Sequence, residues 1–459
     1  MNEFSVIGAR VVVIGAARSG IAAARLLVDR GASVVLTERR REVDQSVIGL
    51  RDLGVELELG GHATRTLENA DLVVLSPGVS PTLEGLDRLR HRKVPVISEV
   101  ELASRWLRGR VVAVTGTKGK STTVVLLGKM LEAGGCVVLV GGNVGMALSA
   151  QVQASTPEMI HVVEVSSFQL ELTTTFRPSV AVLLNLHSDH LDRHESYSAY
   201  VAAKARIFAN QTASDTLVIN ADDPEVLRLA DDSSARRVEY ALTGSISAGV
   251  VVENDAIIRK SVTGDERLVP LSAVHLIGSH QLSNVVAASA VADLIGVSTS
   301  DMTVTVDNFA GLDHVLQLVG EVAGVRFIND SKATNIESAR CAIENCGDHL
   351  VVIMGGRFKG GDFGLLHRAI ESQVDAIIAL GEAQDRIHAE LSGLVRIVDA
   401  ASMHDAVRTA YGLAVPGGTV LLAPACASLD MFRDYADRGL VFGQAVDRLK
   451  EEVEKHREQ

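Results

Sequence analysis

The segment VAVTGTKGKSTT (112–123) holds the densest chemistry in the chain: a β-branched run ends in a glycine-rich turn, and Lys120 is followed at once by Ser121 and Thr122. Such a turn lets backbone N–H groups and the first turn of a helix face an anion, while the lysine reaches terminal phosphates and a hydroxyl reaches magnesium. Gly116, Thr117, Lys118, Gly119, Lys120, Ser121 and Thr122 therefore form a candidate triphosphate site, with a helix expected from Ser121. The loop is shorter than the general Walker pattern, since Val114 stands five places before Gly119. A kinase, a switch GTPase and a ligase all use loops of this chemistry. A turn that binds nothing is the bland alternative, and the lysine and hydroxyls in register argue against it.

Two further clusters surround this loop in sequence. Downstream, HVVEVSSFQLE (161–171) puts Glu164 and Ser166 at a strand end, and LLNLHSDHLDRH (183–194) puts His187, Asp189, His190 and Asp192 after the next strand. Acidic and imidazole groups at adjacent strand ends beside a phosphate loop can hold magnesium between a triphosphate and a second substrate. Glu164 and His190 are the ligands expected, against a plain capping or surface role for either histidine. Upstream, GAARSG (15–20) has the outer glycines of a dinucleotide turn but Ala17 in place of the middle one, and Glu38 ends the second strand where an acid would meet a ribose. A dinucleotide, another nucleotide diphosphate and a structural turn fit it equally, so an NAD-dependent oxidoreductase stands as a second class.

These residues need a scaffold, and 459 residues suggest three domains at roughly 150 each. With 47% hydrophobic and 22% charged residues the chain is of packed globular type. A formal charge of −13 argues against a broad grip on nucleic acid or anionic lipid, so an anionic ligand needs a local site. The start MNEFSVIGARVVVIGAA has no basic stretch before a long apolar core, and no window approaches the ~18 apolar residues that span a bilayer, so the expected location is the cytoplasm. Cys136, Cys341, Cys346 and Cys426 show no metal or disulfide spacing. Short β-branched runs followed by glycine turns and helix-period segments recur throughout, the pattern of an α/β protein with parallel sheets. The runs divide into three series, with domains expected at 1–108, 109–311 and 312–459; polar alternation near 236–270 suggests an antiparallel β addition to the second. The Lys- and Glu-rich tail beyond Leu440 reads as a solvated helix.

In order along the chain stand TGTKGKST, GGNVG (141–145), EVSSFQLE, NLHSDHLDRH, YVAAKARIF (200–208), NADD (220–223), GSHQLSN (278–284), NDSKATN (329–335) and LLAPACASLD (421–430). By these motifs the sequence resembles the Mur ligases over nearly its whole length, and the last two resemble most the members that add D-glutamate. Folylpolyglutamate synthase shares the ATP-domain plan but not an α/β domain ahead of the phosphate loop. The resemblance implies three α/β domains: Rossmann-like and UDP-binding, central P-loop ATPase, and C-terminal Rossmann-like. It implies a monomeric ATP-dependent ligase of peptidoglycan precursor synthesis, acting on UDP-N-acetylmuramoyl-L-alanine and D-glutamate through an acyl phosphate, with two Mg2+ ions. A different amino acid, such as L-glutamate, or an inactive nucleotide-binding paralogue are the alternatives.

The same resemblance implies residue roles. Gly15, Ser19, Glu38, Arg39, Ser76, Pro77 and Gly78 would hold the uridine nucleotide, Asn143, Ser166 and His190 the substrate and metal region, and Asn284, Asp330 and Lys332 the ATP. Thr334, Lys359, Ser428 and the backbone near Tyr435 would join Lys332 in the amino-acid pocket. Ser121, Glu164, His190 and Lys204 would serve the metals, Lys204 as a carbamate, although by residue pattern alone it reads as an ordinary exposed helical lysine. One hinge departs from the family: after His314 this chain has Val315 and Gln317 where an Arg and an acid are usual. The change implies weaker ATP binding that cellular ATP still saturates, compensation by a cation such as Arg326 or Arg357, or loss of ligase activity with the fold retained; the first two are favoured because the other motifs persist.

Overall fold

The computed structural model describes residues 4–80, 82–190, 193–243 and 246–457; Asp192 lies outside them. Three sheets organise it. The first contains β1 (Arg10–Ile14), β2 (Ser33–Glu38), β3 (Glu56–Leu59), β4 (Leu72–Leu75) and β5 (Val96–Ser98), all parallel in the order β3-β2-β1-β4-β5. Val11, Val12, Val13 and Ile14 are fully buried, as expected of a parallel strand covered on both faces. The order reverses between β1 and β4, and such a switch point opens a crevice at the carboxyl ends of the strands. Gly15 and Ser76 sit there, with the Ser76 hydroxyl donating to the Gly15 carbonyl at 3.2 Å.

The second sheet contains β6 (Arg110–Thr115), β7 (Val138–Gly142), β8 (Ile160–Glu164), β9 (Val180–Leu183), β10 (Thr216–Asn220), β11 (Arg236–Ala241), β12 (Gly249–Glu253), β13 (Ala256–Lys260) and β14 (Glu266–Pro270). Their order is β14-β13-β12-β11-β10-β9-β6-β8-β7. Antiparallel pairing is confined to β12–β13 and β13–β14, whereas β11 runs parallel to β10 and so extends the main sheet rather than opening the addition. β8 and β9 flank β6 on opposite sides, so the two clusters expected at adjacent strand ends are separated by the strand that carries the phosphate loop.

The third sheet contains β15 (Gln317–Val322), β16 (Val325–Asn329), β17 (Leu350–Gly355), β18 (Val374–Leu380), β19 (Arg396–Ala400) and β20 (Thr419–Leu422), ordered β15-β16-β20-β17-β18-β19 with only β15 antiparallel. The last helix, Tyr435–Arg457, is not simply solvated: Phe442, Ala445, Val446 and Leu449 are buried in a cluster with Val322, Phe327 and Leu422. Their i, i+3, i+4, i+7 spacing makes one apolar stripe, which the high Lys and Glu content of the segment conceals. The chain forms two compact units, Met1–Val274 with Ser283–Asn308, and His275–Leu282 with Phe309–Gln459.

Within the first unit the two sheets are tied by Glu101, fully buried on the helix Glu99–Ser104. Its carboxylate accepts from the backbone N–H groups of Thr174 at 3.0 Å and Phe176 at 2.9 Å, the Thr175 hydroxyl at 2.6 Å and the Arg105 guanidinium at 2.8 Å. Burial alone would push this carboxyl up, but the donors pull it down to about 2. The stabilisation is therefore complete above the unfolded value near 4.3 and is lost as pH falls towards 2. We expect Glu101→Gln to cost on the order of 3 kcal/mol at neutral pH, with the gap from wild type narrowing below about pH 5. Urea midpoints across pH would check this, and a gap that stays constant would sink it.

Candidate functional site

The phosphate loop leaves the buried end of β6 at Gly116, where φ is 155° and an added Cβ would lie 2.9 Å from Leu184 Cβ. Gly119 has φ of 84°, and a Cβ there would overlap the buried Asn284 side chain at 2.0 Å from Oδ1, so both turns demand glycine. The helix starts at Lys120, one residue earlier than expected. Lys120 Nζ folds back to donate to the carbonyls of Gly116 and Thr117, each at 2.8 Å. Two residues not singled out by sequence hold the loop open: Asn185 Oδ1 accepts from the N–H groups of Thr117 (3.0 Å) and Lys118 (2.8 Å), and Tyr200 OH lies 2.8 Å from Thr117 Oγ1. The usable signal for Asn185 was its place immediately after β9, beside the loop.

Beside the loop, Glu164 is buried at the end of β8 and accepts from Ser121 Oγ at 2.6 Å and Asn143 Nδ2 at 2.7 Å. Thr122 is buried in the first turn of the helix. Lys204 is only 2% exposed, contrary to the reading of its local pattern. Its helix, Tyr197–Ala205, turns Tyr200, Val201 and Lys204 inward, and Nζ donates to the Gly116 carbonyl at 2.7 Å. Burial first, then the nearby Lys120 cation, hold this amine well below the usual lysine range against the opposite pull of Asp189 and Glu164. Two amines thus share one carbonyl oxygen.

Other expected members are not drawn in. His190 has φ of 56°, a half-exposed ring edge-on to Phe168 at 5.0 Å, and a 3.7 Å approach to Asp189. Among the described residues no group of three or more His, Cys, Asp or Glu gathers at metal-binding spacing. Ser166 caps the helix Ser167–Glu171, accepting from Gln169 N at 3.3 Å in a capping box, which gives it a structural task. A carboxylate and a serine hydroxyl are hard oxygen donors, so Glu164 and Ser121 fit Mg2+ in chemistry.

On the first sheet, Glu38 closes the GAARSG turn by accepting from Ala16 N at 2.8 Å and from Arg40 N at 3.1 Å. Although burial raises its carboxyl, these bonds hold it below the ordinary range. Arg39 and Gly78 are exposed, and Ser19 and Pro77 half-buried, around the switch point. Arg18 donates to the Asn143 carbonyl at 3.3 Å and Arg193 to the Val79 carbonyl at 3.0 Å, so the first sheet's loops meet those of the second.

In the second unit, Lys359 Nζ donates to Thr334 Oγ1 at 3.2 Å. The loop bearing Lys359 is bonded to the loop of Ser428 through Arg357 N to Ala427 O at 2.8 Å and Ala427 N to Arg357 O at 2.9 Å. Asp330 is buried and accepts from Leu316 N at 3.3 Å, Lys332 is exposed, and the Tyr435 carbonyl takes the Ser331 hydroxyl at 2.7 Å. Beneath these loops lies Arg438, 1% exposed, donating to Ser331 Oγ at 3.0 Å, Ser331 O at 2.8 Å and Cys426 O at 3.1 Å. Burial pushes its guanidinium down to about 10, which leaves it charged at neutral pH. At the divergent hinge Val315 is half-buried. Both cations considered as substitutes are engaged: Arg326 donates to Thr419 Oγ1 at 3.0 Å, and Arg357 pairs with Glu382 at 2.9 Å.

Three family models match the chain in succession: Mur ligase MurD-like, N-terminal domain, over 9–98; Mur ligase middle domain over 114–292; and Mur ligase, glutamate ligase domain, over 316–426. A protein of Desulfosudis oleivorans named UDP-N-acetylmuramoylalanine--D-glutamate ligase is 41% identical over 446 residues, covering 96% of this chain and 97% of that protein. Its namesake in Acidobacterium capsulatum is 42% identical over 443 residues, covering 96% of each. Among solved structures, MurF ligase from Thermotoga maritima in complex with ADP covers 99% of this chain and 97% of its own at a TM-score of 0.58 and 17% identity, a likeness of fold.

Proposed function

The chain belongs to the Mur ligase family, and from that premise we propose that it joins D-glutamate to UDP-N-acetylmuramoyl-L-alanine, with cleavage of ATP to ADP and phosphate, in peptidoglycan precursor synthesis. The observation that carries the reading is the convergence of Lys120, Ser121, Glu164 and Lys204 on the carboxyl end of β6. A carboxylate is a poor electrophile, so the alanyl carboxylate first takes the γ-phosphoryl group and ADP leaves. The D-glutamate amine then attacks the acyl carbon, and the tetrahedral intermediate expels phosphate as the amine loses its proton.

In this reading the N–H groups at the start of the helix, Gly119 to Ser121, hold the phosphates, while Asn185 keeps those of Thr117 and Lys118 in the loop, and Lys120 exchanges its two carbonyl partners for phosphate oxygens as charge develops. Ser121, Glu164 and His190 would hold Mg2+, and Lys204 as a carbamate would serve a second ion; the metal would supply charge neutralisation on the transferring phosphoryl group. Asn284, Asp330 and Lys332 bind ATP; Asn143 and Ser166 border the substrate. The crevice lined by Gly15, Ser19, Glu38, Arg39, Ser76, Pro77 and Gly78 takes the uridine diphosphate rather than a nicotinamide dinucleotide. We assign domains 1–108, 109–311 and 312–459 to nucleotide sugar, ATP and amino acid, and read the enzyme as a cytoplasmic monomer with no nucleic-acid or membrane partner; among the described residues no helix is long and apolar enough to cross a membrane.

Phosphate release that requires both UDP-N-acetylmuramoyl-L-alanine and D-glutamate tests the proposal, and release that needs neither would overturn it. The acceptor pocket adds a specificity test. Lys359 and Thr334 present a cation and a hydroxyl 3.2 Å apart, with Ser428 on the neighbouring loop. A one-carboxylate amino acid leaves such donors unpaired at about 1–3 kcal/mol each. D-glutamate should therefore exceed D-alanine in kcat/KM by roughly five- to 150-fold per lost contact, and Lys359→Ala should narrow the margin. Equal rates would refute the pocket, whereas preference for L-glutamate would keep it and change the stereochemistry.

A further inference from the structure

Residues 105–109 join the helix Glu99–Ser104 to β6 and so connect the first sheet to the second. The N–H groups of Arg108 and Gly109 both donate to Ser155 Oγ, at 2.9 and 3.1 Å. That oxygen lies 2.8 Å from His161 Nε2, and His161 Nδ1 lies 2.7 Å from Gln151 Oε1. Ser155, His161 and Gln151 are 3%, 0% and 1% exposed, and none has a part in the proposed chemistry. Because Ser155 Oγ already accepts two hydrogen bonds, its one hydrogen must go to His161 Nε2. The imidazole is then the Nδ1–H tautomer, donating to Gln151.

The chain of bonds continues. Gln151 Nε2 approaches the Met146 carbonyl at 3.5 Å, and that carbonyl also accepts from Gly142 N at 2.8 Å. A Cβ at Gly141 would overlap Gln151 Nε2 at 2.1 Å, so the amide is packed directly on the glycine loop. From that loop Asn143 reaches Glu164 Oε1 at 2.7 Å, and its carbonyl receives Arg18 of the first sheet. His161 itself stands three residues before Glu164 on β8.

We propose that His161 is a positioning residue: through Ser155 and Gln151 it locks the linker 105–109 and the loop 141–146 into one register, so that Asn143 and Glu164 keep their places beside the phosphate loop. The kinetic part rests on the ligase reading, while the structural part does not. A merely space-filling histidine would need only its volume. A locking one needs both ring nitrogens, and an amide can replace only one at a time: Gln matches the reach of Nε2 to Ser155, and Asn that of Nδ1 to Gln151.

The experiment is amide hydrogen exchange of the full chain, with steady-state kinetics, for His161→Phe, His161→Gln and His161→Asn. Phe should raise exchange at both 108–109 and 141–146 without affecting 33–38 of the first sheet. Gln should spare the linker and release the loop, and Asn the reverse. Each should lower kcat by about tenfold or more through misplacement of the site, with a smaller change in the KM for ATP. His161→Phe with unchanged exchange at both segments overturns the proposal even if its melting temperature falls. Should the Phe variant fail to fold, equal exchange of both segments in the Gln and Asn variants overturns it instead. A wild type without D-glutamate-dependent turnover counts against the ligase reading alone, because the exchange pattern is read without substrate.

Discussion

In a folded Lys120→Ala protein, phosphate release dependent on both substrates should fall by roughly 10³-fold or more, the scale of losing a preorganised charge at a transferring phosphoryl group. The geometry makes the loss larger than that of one hydrogen bond. Nζ now neutralises the carbonyl oxygens of Gly116 and Thr117, each 2.8 Å away. Without the amine the Thr117 oxygen would face incoming phosphates uncompensated and the Gly116 oxygen would keep only Lys204, beside Glu164. The deficit should appear chiefly in kcat, because the proposed reading places the uridine nucleotide on the first sheet, away from this loop. Urea unfolding and titration with the UDP substrate would confirm an intact scaffold. Turnover within a few-fold of wild type in such a protein would remove Lys120 from the chemistry.

How legible this site was depends on how local its causes are. The phosphate loop could be read directly, since strand, glycine turn, lysine and hydroxyl lie within a dozen residues and each follows from backbone geometry at its own position. The Thr334–Lys359 pair was legible only through ordered motifs, because 24 intervening residues carry the chain through β17 before the loops meet. Arg438 was not legible at all. In sequence it is one arginine in a charged helix, and its burial follows from three loops converging above it. His190 shows the opposite situation: a ligand in spacing, it lies half-exposed with positive φ after β9, across β6 from Glu164, so its neighbours alone do not mark it as they mark Glu164. The burial of Lys204 was hidden for a related reason. YVAAKARIF is small and apolar on several faces, so the inward face is decided by Tyr200 meeting Thr117, a contact over 80 residues away.

That burial makes Lys204 the site of the second large effect. An ammonium there would sit with Lys120 on the Gly116 carbonyl, two like charges in a dry setting, and burial together with that repulsion favours the neutral amine. A neutral amine is the form that attacks carbon dioxide, and the carbamate formed after proton loss carries a negative charge in place of a positive one. In the proposed reading that modification would turn repulsion from Lys120 into attraction and add an oxygen ligand suited to Mg2+. Lys204→Ala should therefore lose at least roughly 10²-fold in kcat, and Lys204→Arg should be no better, since the guanidinium keeps the charge and cannot be carbamylated. Formate or acetate should restore part of the activity to the alanine variant by occupying the vacated space with a carboxylate, and should do nothing for the arginine variant. Acidification should inactivate the wild type reversibly as the amine is protonated, with added bicarbonate opposing the loss. Full activity after exhaustive removal of carbon dioxide, with an unmodified lysine by mass spectrometry of the intact protein, would show that the buried amine acts as it stands.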